Sequence, residues 1–239
     1  MLENKVAIVT GGSKGMGRHF VDALVAAGAR VASFARSSAE NTALEKEYGA
    51  NAAIACDVSD PDQVNAAVAE TIARFGRIDA LINNAAIFDL FRLENATDAQ
   101  IRASVEINLL GPLWCIRAAT PHLCETRGHI LSISSESVRM PFPYLSVYAA
   151  TKAAVETLGT AMRDELRDKG VRVTTLRSGP GIDGPRGRVG ALHAGGHQRR
   201  FPGGAGERTH ARGFGGSDPP AGRACSRGRS GGLTSHGPW

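Results

Sequence analysis

Apolar and polar positions follow two alternating rhythms along the first 180 residues. Short β-branched runs that stop at glycine or polar turns read as buried strands at residues 5–10, 30–35, 52–58, 78–86, 128–134 and 171–177. Stretches of helical period separate them. One carries Met16, Phe20 and Leu24 on a single stripe and closes at Gly28. A polar one covers residues 38–49. The next has Asp60 as N-cap, Pro61 at the first helical position, and Val64, Val68 and Ile72 on its buried face. Thr97 and Gln100 suit a capping box for a long helix through residue 123, which Gly111-Pro112 should kink. A last helix follows over residues 147–170.

Strands alternating with helices predict an α/β domain. It is a Rossmann-type doubly wound parallel sheet, helices on both faces, over residues 1–180. Ligands of such sheets bind at the carboxyl ends of the strands.

The rhythm stops at Gly181. Residues 184–239 hold 16 Gly and 5 Pro but only six large apolar residues. Such a segment buries too little surface to offset the entropy of ordering it, so residues 181–239 are expected to be irregular or disordered. Charge divides at the same place. The net +5 is the sum of −2 over residues 1–183 and +7 over the rest, whose nine basic residues are all Arg. Gly, Arg, Pro, Ala and His without Lys is the bias of GC-rich coding DNA read out of frame, and a frameshift near residue 181 is the expected cause. An RNA-binding role for this tail would need regular RGG-type repeats with interleaved aromatics, which are missing. Nucleic acid is not an expected partner.

The first residues, MLENKVAIVT, carry no signal-peptide pattern, and no run approaches the ~20 apolar residues of a membrane span. Cys56, Cys115, Cys124 and Cys225 form neither a CxxC pair nor a metal spacing. They read as reduced thiols of a cytoplasmic protein, and no metal site is expected.

Three constellations carry chemistry. TGGSKGMG at residues 10–17 joins a strand to a helix, and its glycines allow close approach of a pyrophosphate to the helix N-terminus. Tyr148 and Lys152 stand one helical turn apart. A nearby ammonium would lower the phenol's pKa and make Tyr148 an acid/base. Ser134 and Ser135 end the fifth strand, where a hydroxyl either binds a substrate oxygen or caps the next turn.

These motifs, with NNAA at 83–86, INLLG at 107–111, ISS at 133–135 and YAATK at 148–152, resemble the short-chain dehydrogenase/reductase (SDR) family in order and spacing. The likeness covers residues 5 to about 180 and implies hydride transfer between a nicotinamide cofactor and a ketone or secondary alcohol. It makes Tyr148 the acid/base and has Lys152 lower the tyrosine's pKa and hold the nicotinamide ribose. Ser135 would orient the substrate oxygen, and Asn108 would hold a water linking Lys152 to solvent or else satisfy the helix break. Gly11, Ser13, Lys14, Gly15, Met16 and Gly17 would cradle the cofactor. Asn84 and Ala85 would line its adenosine side. Asp57 and Val58 would meet adenine, Asp57 being otherwise a plain turn residue. No acid ends the second strand, whereas Lys14 and Arg36 stand ready for a 2′-phosphate, which favours NADP(H) over NAD(H). The resemblance further implies a homodimer or homotetramer acting on a small carbonyl or alcohol. Ser178, Gly181 and Asp183 depart from the family's Pro, apolar residue and Thr near the nicotinamide, and no candidate appears for its last helix and strand. The alternative is a catalytically impaired nucleotide-binding remnant.

Overall fold

In the computed structural model, which describes residues 2–36, 39–49 and 52–179, the apolar runs form six strands. They are β1 (Val6–Thr10), β2 (Arg30–Ala35), β3 (Ala53–Ala55), β4 (Ala80–Asn83), β5 (His129–Ser135) and β6 (Arg172–Ser178). All pair in parallel, in the order β3-β2-β1-β4-β5-β6. The chain therefore builds outward from β1 in one direction, then returns and builds from β4 in the other. The crevice between the carboxyl ends of β1 and β4 is the place where such a sheet binds ligands. The expectations for residues 180–239, namely the irregular tail, the frameshift and the missing last strand, lie outside the described residues.

Helices α1 (Gly15–Ala26), α2 (Ala39–Tyr48), α3 (Pro61–Phe75), α4 (Asp98–Val105), α5 (Gly111–Thr126) and α6 (Ser146–Glu165) cover the sheet. All five β1 residues are buried, as a strand covered on both faces requires. Ile8, Phe34, Leu81 and Ile130 share one core with Val64 of α3 and with Ala119 and Leu123 of α5. Val9, Val31 and Ile82 share the other with Val21 of α1 and Leu44 of α2.

Local signals explain the starts of α3 and α4. Asp60 Oδ1 accepts from the N–H groups of Asp62 and Gln63 at 2.9 and 3.3 Å. The Thr97–Gln100 capping box closes with both reciprocal bonds.

Three expectations change. The buried stripe of α1 is centred on Gly17 and Val21, with Phe20 and Leu24 only partly covered, and Met16 is 41% exposed. β3 keeps three residues, because Asp57 accepts from the Ser59 N–H and hydroxyl at 3.0 and 2.7 Å and turns the chain away. The long helix does not merely kink: a π-helical segment, Glu106–Leu110, separates α4 from α5. Gly111 N–H reaches back to Glu106 O, and Pro112 has no N–H to offer the carbonyl of Asn108 four residues earlier.

At the other end of the strands, Asp79 ties β1 to β4. It is buried and accepts from Val6 N–H at 3.0 Å, Lys5 Nζ at 3.0 Å and Arg77 Nε at 2.8 Å. Burial pushes its carboxyl up, but the bonds from Arg77, Val6 and Lys5 outweigh that and hold it below the ordinary value. A depressed folded pKa stabilises the fold above the unfolded value, and this is lost as pH falls through the folded one. Asp79→Asn should cost about 1–3 kcal/mol at pH 7. Its melting temperature should fall less than the parent's between pH 5 and pH 3, and equal slopes would refute the assignment.

Candidate active site

The turn after β1 is shaped by its glycines. Gly11 and Gly15 have φ of 66° and 57°, the left-handed region that disfavours a side chain. A Cβ on Gly17 would overlap the Gly11 carbonyl oxygen, so the first turn of α1 can lie against the loop only without one. Lys14 precedes α1 in an extended conformation, with no side-chain capping bond and no acid in the first turn. The opening N–H groups of the helix thus face the cleft with their partial positive charge unanswered.

That cleft, about 560 Å³, is lined by Gly11, Ser13, Lys14, Met16 and Gly17 from the loop and by Arg36 beyond β2. Asp57, Val58, Asn84 and Ala85 line it from the turns after β3 and β4. Gly15 is not among its walls and acts through its backbone conformation. Asp57 lines the cleft, and its Oδ1 accepts from Ser59.

Two residues here escaped the sequence reading. Thr10 Oγ1 accepts from the N–H groups of both Asn84 and Ala85 at 3.0 Å, and Asn84 Nδ2 donates to Thr10 O at 3.0 Å. This stitches the turns after β1 and β4 together. Only a hydroxyl just before the glycines hints at it. Glu40, on the first turn of α2, also lines the cleft, its Oε1 3.9 Å from Lys14 Nζ. No acid ends β2, but Glu40 brings one beside Lys14.

Tyr148, Lys152 and Ser135 are not among the residues that line this cleft. Lys152 is 3% exposed and donates to Ile133 O at 2.8 Å, with its ammonium 5.7 Å from the Tyr148 ring centroid. Burial lowers its pKa to about 8. Burial also raises the Tyr148 phenol above its ordinary value, and the Ser135 hydroxyl beside it pulls back only in part. The expectation that Lys152 lowers the tyrosine's pKa thus does not hold here: desolvation dominates both groups. Ser135 lies beside Tyr148, and its Oγ accepts from Ser137 N–H at 3.2 Å to cap the following turn. Ser134 points away, donating to Glu156 at 2.7 Å. Phe88 packs edge-on against Tyr148, ring centroids 5.0 Å apart.

Asn108 is fully buried, and its amide is bonded to the backbone of Ile87 rather than to the helix break. Its Oδ1 accepts from Ile87 N–H at 2.8 Å and its Nδ2 donates to Ile87 O at 3.0 Å. The break leaves the Asn108 carbonyl, not its side chain, without an α-helical partner. Among the described residues no group of His, Cys, Asp and Glu could hold a metal ion.

The profile of the short chain dehydrogenase family matches residues 5–182. The chain belongs to the short-chain dehydrogenase family. Over 176 residues it is 37% identical to L-fucose dehydrogenase of Bos taurus, covering 73% of this chain and 65% of that protein. Sorbitol dehydrogenase of Cereibacter sphaeroides is 36% identical over 186 residues, 77% of this chain and 72% of that one. A 3-ketoacyl-(acyl-carrier-protein) reductase from Brucella melitensis, solved with NADH, superposes with a TM-score of 0.73 at 29% identity, covering 76% and 78% of the two chains. This short-chain dehydrogenase thus spans just under two thirds of the length of the L-fucose dehydrogenases it matches. The family works with nicotinamide cofactors, and the residues of the cleft fit one: a glycine cradle, an uncapped helix N-terminus and space at the switch of the sheet.

Burial of Lys152 has a measurable sign. Its folded pKa of about 8 lies below the ordinary 10.5, so its contribution to stability is complete above 10.5 and is lost as pH falls through 8. The unfolding free energy of the wild type minus that of Lys152→Met should rise by about 3 kcal/mol between pH 7 and pH 10.5. A flat difference in paired denaturant titrations would mean that the amine is hydrated.

Proposed function

We propose that this chain is an NADP(H)-dependent oxidoreductase that moves a hydride between nicotinamide and a ketone or secondary alcohol. The observation that carries the reading is the arrangement of α6: Tyr148 and Lys152 lie one turn apart beside Ser135, with Lys152 withdrawn from water. They share the carboxyl edge of the sheet with the open N-terminus of α1. A nicotinamide bound there would supply or accept the hydride. Tyr148, its phenol held protonated by burial, would give its proton to the carbonyl oxygen during reduction and take it back during oxidation. Ser135 would hold that oxygen in line. Lys152 would bind the nicotinamide ribose and return a proton to the tyrosine. Asn108 would hold a water linking Lys152 to solvent, and its main-chain carbonyl, which Pro112 leaves without an α-helical donor, offers an acceptor for it.

Gly11, Ser13, Lys14, Gly15, Met16 and Gly17 would hold the pyrophosphate, while Asp57, Val58, Asn84 and Ala85 would enclose the adenosine. The preference for NADP(H) is supported by Lys14 and Arg36, both exposed on the cleft where a 2′-phosphate would sit. Glu40 opposes it. Residues 1–180 would form the working domain of a cytoplasmic homodimer or homotetramer. Among the described residues no helix is long and apolar enough to cross a membrane.

The deciding experiment is a fluorescence titration with NADPH and NADH, followed by turnover of carbonyl compounds at 340 nm. Saturable binding with NADPH preferred, and turnover, is the expected result. Binding without turnover of any carbonyl would leave a nucleotide-binding remnant. Tyr148→Phe should lower kcat about 10²- to 10⁴-fold with little change in NADPH affinity.

The charges around the 2′ position give a separate test. Glu40→Gln should shift the ratio of NADPH to NADH affinity about two- to fivefold toward NADPH, and Lys14→Ala should shift it the other way. If neither ratio moves, the phosphate is read elsewhere.

A further inference from the structure

Nine large apolar side chains are strongly exposed among the described residues, and six of them fall in two short segments. Phe88 (55%), Leu90 (42%) and Leu93 (55%) follow β4, while Met140 (61%), Phe142 (57%) and Tyr144 (47%) precede α6. The segments are tied to each other. Phe91 N–H donates to Tyr144 O at 3.1 Å, and Arg92 donates to the Tyr144 hydroxyl at 3.3 Å with its guanidinium 5.3 Å from that ring's centre. Tyr144 has φ of 74°, a left-handed conformation that a bulky residue adopts only when its surroundings impose it. Both segments are also tied to the reaction centre. Ile87 is clamped by Asn108 on both backbone groups, and the next residue, Phe88, lies edge-on against Tyr148. The ionic groups of the segments are largely spent on one another, Arg92 with Glu94 at 3.3 Å and Arg139 with Glu136 at 3.9 Å, which leaves Asp89 exposed.

We infer that these two segments are one wall of the substrate site, and that the substrate is an apolar ketone or secondary alcohol whose alkyl or aryl body packs on Phe88. This rests on the hydride-transfer reading above and adds the substrate class to it. Apolar surface fixed at the mouth of a reaction site is favourable only when something apolar covers it. A sugar or polyol needs polar partners at fixed places for each hydroxyl, and side chains such as Phe88, Leu93 and Phe142 offer none. The chain would differ in this from the L-fucose and sorbitol dehydrogenases among its relatives. In the reductive direction the carbonyl carbon gains a hydride from the reduced cofactor, which is thereby oxidised. The carbonyl oxygen gains the Tyr148 proton, and a secondary alcohol leaves.

The test uses the full chain with NADPH and a series of 2-ketones from 2-butanone to 2-octanone, with acetophenone, and L-fucose and sorbitol with NADP⁺ in the reverse direction. The expected result is a kcat/KM that rises about fourfold per added methylene, carried by KM, with the sugars turned over far more slowly. Phe88→Ser and, separately, Leu93→Ser should flatten that rise while NADPH affinity is kept. Binding of the same ketones to the NADPH complex, read by quenching of nicotinamide fluorescence, follows the wall independently of turnover. Length-dependent ketone binding without turnover would keep the wall and sink the hydride-transfer reading. Turnover without length dependence, or with L-fucose or sorbitol preferred, would sink the apolar wall and keep hydride transfer. A dimer in light scattering that Phe88→Ser dissolves would overturn the inference, because the surface would then belong to a second copy.

Discussion

The bond from Lys152 Nζ to the carbonyl of Ile133 holds together the two elements on which the proposed chemistry depends. It pins α6 against β5 at the level of Ser135, and it does so with a cation almost entirely out of water. One turn further along, Glu156 accepts from Ser134 at 2.7 Å and from Arg177 through both of its oxygens at 2.7 and 2.6 Å, drawing β6 into the same clamp. At the next turn a side chain on Gly159 would overlap the Thr175 hydroxyl, so helix and strand approach as closely as backbone permits. The three contacts hold the height and rotation of α6, and with them the place of Tyr148 on the helix beside β5. Apolar packing alone tolerates small slips of a helix over a sheet, whereas charge-assisted bonds with a definite geometry do not.

A second chain of contacts runs from the nucleotide cleft to the same tyrosine. The Thr10 hydroxyl holds the backbone after β4 against the glycine turn. Two residues later Asn108 takes both backbone groups of Ile87, and Phe88 then lies on the Tyr148 ring. The segment 84–88 is therefore secured at each step by an element of different origin: β1, the π-helical segment, then α6. It explains why a buried helix would tolerate the irregular Glu106–Leu110 turn. Asn108 sits within that turn and reaches the loop from there.

The layers of the fold and the starts of α3 and α4 were legible in the sequence because they rest on local signals. A buried parallel strand must be apolar throughout, and Asp60-Pro61 or Thr97 with Gln100 satisfies orphan N–H groups wherever it occurs. The glycine loop and the Tyr148–Lys152 pair were legible for a similar reason, since one needs a conformation that few residues adopt and the other a fixed helical spacing. What stayed hidden depends on partners far away in sequence. Nothing near Asn108 announces that its amide will meet Ile87, twenty-one residues back. Glu40 was missed because its position in the cleft follows from where α2 begins, not from the end of β2. The shortness of β3 follows from the preference of one aspartate for the Ser59 hydroxyl, which outcompetes an apolar pattern that would have run on.

The environment of Tyr148 and Lys152 also reverses an order that solution chemistry would suggest. A free amine binds its proton slightly more tightly than a free phenolate does. Here desolvation acts on both groups in opposite senses: the ammonium is the charged form of lysine and is disfavoured, while the phenolate is the charged form of tyrosine and is disfavoured too. Lys152 falls to about 8 while Tyr148 rises above its ordinary value, so the ammonium becomes the stronger acid of the two. In the proposed reduction, a tyrosinate left after donating its proton would be the best base in its surroundings, and Lys152 the nearest acid. Reprotonation from lysine to tyrosine would then run downhill, with the ammonium 5.7 Å from the centre of the tyrosine ring. In that proposed reaction, the same burial that costs the fold stability at neutral pH would set the direction in which the proton returns.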